Sequence, residues 1–409
     1  MSEHIQRAAK IVIVTANYRW NLLFMNVNRR IVSRVVKFML LAPLAYLLCL
    51  ALVNSWHSSF KDSGLIFIRP QIPAESNAFY TLLKATNELY WPKKLESKLD
   101  DLSDNTNWDD SLAIKVLETN QTCLSSFDEA MRQPFLLVPE IESFDQDLSY
   151  LSGWKQLTFL KSIQSISLHR AKADNAALND VFEILHFGQR VENSGGPIIS
   201  YLVGENIKAI GLTRIRQMVA DTTLRETNLM QAAHELDAFG PNLEGLTNAL
   251  KVEYTIRCHY LDDMAKGNPT GTTNSGFERA AISFGMKPFF SPRRTKIEYA
   301  QADRSIMGNF SKSYTKSIQS PMPDTEANVP TFNILISGNA IGKIMLEMLE
   351  QPEEQTFARN ISRERVNVTS TQLLLALKVY RMQHGRLPDS LSELVPVFFV
   401  QVPVDDFDG

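Results

Sequence analysis

The stretch VFEILHFGQRVENSGGPIISYLVGENIKAIGL, residues 181–212, decides how this chain folds. Apolar residues recur at three- and four-residue intervals on both sides of residues 193–197, the spacing that gathers them on one face of a helix. Between the two runs, Gly195 and Gly196 suit a helix C-terminus and Pro197 suits the first position of the next helix. Gly204 and Gly211 are seven apart and share a face. Glycine there lets a neighbouring helix approach closely, at a cost in helix propensity.

The same grammar extends outward. Residues 150–192 read as one or two amphipathic helices. Thr223 and Glu226 have capping-box spacing and open a helix to about Phe239. Gly240-Pro241 breaks the pattern, and a long helix runs to about Ala265 before the loop KGNPTGTTNSG. Upstream, a helical run begins at Asn77 and ends at Trp91-Pro92. Residues 93–110 are polar and Asp-rich and read as a loop, and one helix follows over 110–132. GLIFIRPQIP, residues 64–73, has the composition of an edge strand. Residues 284–330 are irregular and proline-containing, with a helix at 294–307, and residues 338–382 are helical. Successive helices joined by Gly-Pro turns predict an antiparallel helical array. Their lengths do not repeat, which argues against a solenoid.

Near the end, VYRMQHGRLPDSLSELVP, residues 379–396, crowds His384, Gly385, Arg386, Asp389, Ser390 and Glu393 together. Each has a structural post. Gly385 fits the position after a helix, where positive φ is wanted. Arg381 and His384 lie in the last turn, where cations favour the helix dipole. Pro388 suits the start of a short helix, and Ser390 and Glu393 have capping-box spacing. VFFVQVPVD then reads as a strand, which gives a small α/β segment at the C-terminal end of a mainly α chain.

With 44% apolar and 21% charged residues, the 409-residue chain has the composition of a folded protein and not of a disordered one. Its net charge of −3 hides an asymmetry: residues 1–37 hold seven Lys/Arg against Glu3, so that segment is +6 and the remainder −9. Residues 38–53, FMLLAPLAYLLCLALV, follow without a charge. They span about 24 Å as a helix, and Val35 and Val36 extend the run toward the roughly 30 Å of a hydrocarbon core if Lys37 snorkels. Trp56 lies at the far interface. Arg29, Arg30, Arg34 and Lys37 flank the N-terminal side, so the N-terminus is expected in the cytoplasm and residues 57–409 outside it. A cleaved signal peptide and a buried core helix are the alternatives. Cys123 and Cys258 would share the outer compartment, where a disulfide is permitted.

Catalytic signatures are sparse. His234-Glu235 begins like a zincin motif, but position 238 is Ala. Cys258, His259, Asp262 and Asp263, with Glu253 upstream, have helical spacing that fits a solvated face better than a metal site. Asp405, Asp406 and Asp408, in VDDFDG, are alternating carboxylates beside a glycine, the oxygen-rich pattern that suits calcium, and also that of an ordinary turn. No nucleophile elbow, P-loop or dinucleotide fingerprint occurs, so neither nucleotide nor cofactor is expected. SPRRTK, beside Phe289 and Phe290, reads as a helix start and not as a nucleic-acid surface.

ALKVYRMQHGRLPDSLSELVP followed by VPVDDFDG resembles the C-terminal segment of uncharacterised bacterial envelope proteins. More distantly, it resembles the major pseudopilins of type II secretion, in which a long helix passes a Gly-x-x-Pro turn toward an Asp-x-x-Gly loop. NAFYTLLKATNELYWP and ALNDVFEILHFGQRVENSGGPIISYLVGENIKAIGL carry the same resemblance to those envelope proteins. The resemblance implies one membrane anchor, a helical ectodomain and no assigned reaction. Similar proteins continue into a β-hairpin, so truncation at Gly409 is expected.

The organisation expected is a basic cytoplasmic tail (1–34), a transmembrane anchor (35–56), a helical ectodomain (57–283), a proline-containing connector (284–337) and a helix, turn and strand segment (338–409). The function expected is non-enzymatic binding or scaffolding at the inner membrane of a bacterial envelope. The lipid bilayer and an envelope protein are the partners, and nucleic acid and nucleotide are not. A secretion or pilus component and a hydrolase with dispersed residues are the rival readings.

Overall fold

The helical periodicity read from the sequence is what the chain adopts. The structure, a computed structural model, describes residues 31–54, 62–267, 283, 286–319, 338–348 and 354–407. Among them the chain is mostly helical and forms no strand. Their contacts divide into two units.

The larger unit comprises residues 60–263, 296–328 and 346–409. Its helices begin with α2 (Ala78–Glu88), α3 (Glu96–Asp104), α4 (Asp110–Thr119) and α5 (Gln121–Arg132). The long pieces are α6 (Tyr150–Arg170), α7 (Asp174–Glu192) and α8 (Ile198–Val219), followed by α9 (Glu226–Glu235) and α10 (Leu243–Ala265). Later come α11 (Pro292–Asn309) and α12 (Tyr314–Gln319); α13 (Ala340–Met348) lies mostly in the smaller unit, and the longest helix of the larger one is α14 (Glu354–His384). The breaks fall where the Gly and Pro residues stand: Gly195 has φ +65, and Gly240-Pro241 separates a short 3-10 turn (Leu236–Phe239) from α10.

Packing is built on aromatic and branched side chains. Phe79, Leu82, Phe127, Trp154 and Phe187 are buried in one cluster, with the Phe127 and Phe187 rings edge to face at 5.2 Å. Val181, Leu185, Leu212, Ile215, Leu236, Phe239, Leu375 and Val379 join α7, α8 and α14 in a second. Tyr201, Leu246, Leu250, Ile306, Phe310 and Phe357 form a third.

Several local expectations are corrected. Residues 93–104 are helical, not loop, because Leu99 and Leu102 lie one turn apart and are both fully buried. The single helix expected over 110–132 is two. Buried Asn120 leaves the helix to exchange hydrogen bonds with the backbone of Tyr90, Oδ1 taking its N–H at 2.7 Å and Nδ2 reaching its carbonyl at 3.2 Å. Thr223 does not cap α9; it donates to Asp174, and α9 starts at Glu226 without a side-chain cap. The strands expected in 64–73 and after Pro396 do not form. Neither segment has a neighbouring strand to complete its backbone hydrogen bonds, and the one β-bridge among the described residues joins Asn77 to Phe135.

The turn after α14 is as expected. Gly385 has φ +70 and its N–H bonds to Arg381 O at 2.9 Å. Glu393 accepts the backbone N–H groups of Asp389 and Ser390 and takes Arg386 as an ion partner at 3.2 Å. His384 stacks on Tyr380 at 4.1 Å.

The smaller unit comprises residues 1–59, 264–295 and 329–345. Its principal element is α1 (Ile31–Asn54), a helix of 24 residues long and apolar enough to cross a membrane, whose large apolar side chains are exposed.

Candidate functional site

The most unusual chemistry lies between α7, α8 and α14. Glycines create it. A Cβ on Gly188 would lie 2.7 Å from both Gly204 O and Lys208 Cγ, and one on Gly204 would lie 2.6 Å from Gly188 O and 2.7 Å from Glu192 Cγ. The two helices therefore touch backbone to backbone, and each glycine makes room for a long polar chain from the other helix. Lys208 Nζ meets Glu192 Oε1 at 2.7 Å, a second carboxylate, Glu364 of α14, and Gly240 O at 3.2 Å. All three charged side chains are buried. Glu205, one turn before Lys208, pairs with Arg363 at 2.6 Å, and the buried Tyr201 lies on the same helix.

One ammonium thus faces two carboxylates. Burial pushes Glu192 up to about 8; Lys208 opposes the shift and Glu364 reinforces it. Glu364 is also raised by burial, against the pull of Lys208, with Glu205 reinforcing the shift. Burial works against the charge on Lys208, but its two glutamates outweigh that and raise it. The arrangement favours one shared proton on the carboxylates, which leaves the cluster neutral apart from the Glu205–Arg363 pair.

Beside it is a cavity of about 250 Å³ lined by Asp237, Gly240, Arg365, Thr369, Gln372 and Asp406, among others. Gly240 belongs to both places, since its carbonyl accepts a hydrogen bond from Lys208.

Two further clusters hold charge inside this unit. Lys161, buried on α6, meets Asp128 at 3.1 Å, Asp180 at 3.0 Å and Glu183 at 2.7 Å. Burial raises Asp180, against the pull of Lys161. At the end of α6, His169 faces Asp174 through Nδ1 at 2.7 Å and Asp221 through Nε2 at 3.0 Å. Burial would raise Asp174, but bonds from the Thr223 backbone and hydroxyl, His169 and Thr222 hold it down at about 2.

The residues singled out from sequence are placed as follows. Asp406 pairs with Arg365 at 3.1 Å and accepts the Ser362 hydroxyl. Asp405 accepts the Phe407 N–H at 2.9 Å, a local turn bond, and Asp408 lies outside the described residues. Asp262 bonds to Lys296 at 2.7 Å, and Glu253 takes the Ile198 N–H at 3.2 Å. No group of three His, Cys, Asp or Glu side chains among the described residues is arranged to hold a metal. Cys123 and Cys258 are separate buried thiols, and burial pushes Cys123 up to about 12. Sequence reasoning missed Lys208, Glu192 and Glu364. A signal was present for two of them: Glu192 and Lys208 each stand four residues after a glycine, on its face.

Comparison with known proteins returns no matching family model, no matching curated protein and no matching solved structure.

Proposed function

We propose that this chain is a single-pass protein of a bacterial inner membrane whose extracytoplasmic helical body binds or scaffolds an envelope partner and catalyses no reaction. The observation that carries the reading is α1: 24 residues, apolar along its length, with large side chains left exposed. Exposure of that much apolar surface is costly in water and favourable in lipid. The basic residues before it set the N-terminus in the cytoplasm. The interior of the larger unit supports the second half of the reading. Two of its buried lysines are spent on acids, Lys208 on Glu192 and Glu364 and Lys161 on Asp128, Asp180 and Glu183, and these pairs cross-link helices.

A C-terminal alkaline phosphatase fusion tests the topology. An active phosphatase is expected; an inactive one, with an active cytoplasmic reporter at the same site, overturns the reading. Cross-linking in intact cells followed by detergent extraction tests the scaffold, with a defined envelope protein expected on the body. Recovery of the body alone as a monomer argues against scaffolding.

A further inference from the structure

The outer end of α1 is tied to a platform made from distant parts of the chain. Asn54, the last residue of the helix, donates its side-chain amide to Lys287 O at 2.8 Å and to Gly338 O at 2.6 Å. Gly338 has φ +71, and a Cβ there would lie 3.1 Å from Leu50 Cδ2, so this turn lies against the last turn of α1. The two segments also hold each other. Asn339 Oδ1 accepts the Ser291 N–H at 2.8 Å, and Phe289 O accepts the Ile341 N–H at 3.0 Å. Residues 286–295 and 338–345 are thereby fixed at one end of the apolar helix.

That end has a defined depth if α1 spans. Its 24 residues make a helix of about 36 Å, longer than a hydrocarbon layer of about 30 Å. Asn54 then stands at the level of the headgroups, and Lys287 stands there with it.

The platform presents cations. Among the described residues of the smaller unit outside α1, Lys287 and Arg293 are exposed. Lys287 is 233 positions from Asn54 in sequence. The orientation rule counts charges within about 15–20 residues of a span, so these do not enter it.

We infer that this face rests on anionic phospholipid headgroups of the outer leaflet, with Lys287 and Arg293 as its contact residues. The inference builds on the single-pass reading above. Lipid is favoured over a protein because the hydrogen bonds to Asn54 fix the platform beside the bilayer, within the roughly 8–10 Å over which surface charge acts. The exposed charged groups of residues 286–295 are cations, and Phe290 of the same stretch is buried.

The test uses the full chain in vesicles of phosphatidylcholine, alone or mixed with phosphatidylglycerol. A membrane-impermeant acetylating ester reaches outward-facing bodies only, and mass spectrometry reads the rate at Lys287 against Lys84, a reference in the other unit whose side chain is 60% exposed. The Lys287 to Lys84 ratio is expected to fall about fivefold or more in the mixed vesicles, to recover in high salt, and to fall less in Arg293→Gln. Equal ratios in the two vesicles overturn the lipid contact. A ratio already low in detergent that rises on dilution overturns it in favour of a second copy of the chain. Release of the chain by an alkaline carbonate wash overturns the anchor and the contact together, whereas a retained chain with equal ratios removes the contact alone.

Discussion

Raising the pH from about 5 to about 8 should destabilise the larger unit, and the buried Lys208 cluster should account for much of the loss. In the unfolded chain a glutamate titrates near 4.5; in the fold, Glu192 is pushed up to about 8. A raised carboxyl binds its proton more tightly when folded. Its contribution is therefore complete below 4.5 and is lost as the pH climbs toward about 8. One proton corresponds to roughly 1 to 1.5 kcal/mol for each pH unit in that interval. Lys208 adds no slope there, because its raised value keeps its contribution intact throughout the range below 10.5. Asp180 and Glu253 are also raised by burial and tilt the curve in the same direction, so the wild type alone does not isolate the cluster. Glu364→Gln does. It removes the second carboxylate facing Lys208 and leaves a neutral Glu192–Lys208 pair, with Glu205 and Arg363 still matched. Urea unfolding of the full chain in detergent, repeated across this range, should show a clear downward slope in the wild type. The slope in Glu364→Gln should be shallower by a large part of one proton. Parallel curves for the two proteins would refute the shared-proton account.

Four further outcomes follow from the packing. Lys161→Met should destabilise by about 3–5 kcal/mol, because it leaves Asp128, Asp180 and Glu183 facing one another without a cation; adding Asp180→Asn should recover part of the loss in a thermal melt. Gly204→Ala should cost about 1–3 kcal/mol or more, since the new methyl meets the Gly188 carbonyl at 2.6 Å. Gly385→Ala should cost only about 1–2 kcal/mol, since nothing lies within 4 Å of its Cβ and the strain comes from the backbone alone. His384→Ala should be milder than either, a few tenths of a kcal/mol from the lost contact with the helix end, and a larger loss in its melt would mean that the ring is more than a stacked cover on Tyr380.

What could be read from the sequence was what depends on near neighbours. Helix hydrogen bonds join residues four apart, so apolar spacing and Gly-Pro punctuation were enough to mark the helical region of α6 and α7, the helix α8, the end of α14 and the breaks at Gly195 and Gly240. The left-handed turn at Gly385 and the apolar run within α1 are equally local. Distant partners decided the rest. Asn120 breaks a helix because the Tyr90 backbone is there to bond it. Thr223 gives up a cap because Asp174 accepts it. Residues 64–73 have strand composition but no strand beside them, and a strand is defined by a neighbour. The candidate site is the clearest case. Glu192 and Lys208 are legible as residues on glycine faces, but Glu364 lies more than 150 positions further along the chain. Whether a charge faces water or sits buried against a partner depends on which helices cross and how closely. Here the crossing is set by Gly188 and Gly204 meeting, and only the folded chain brings them together.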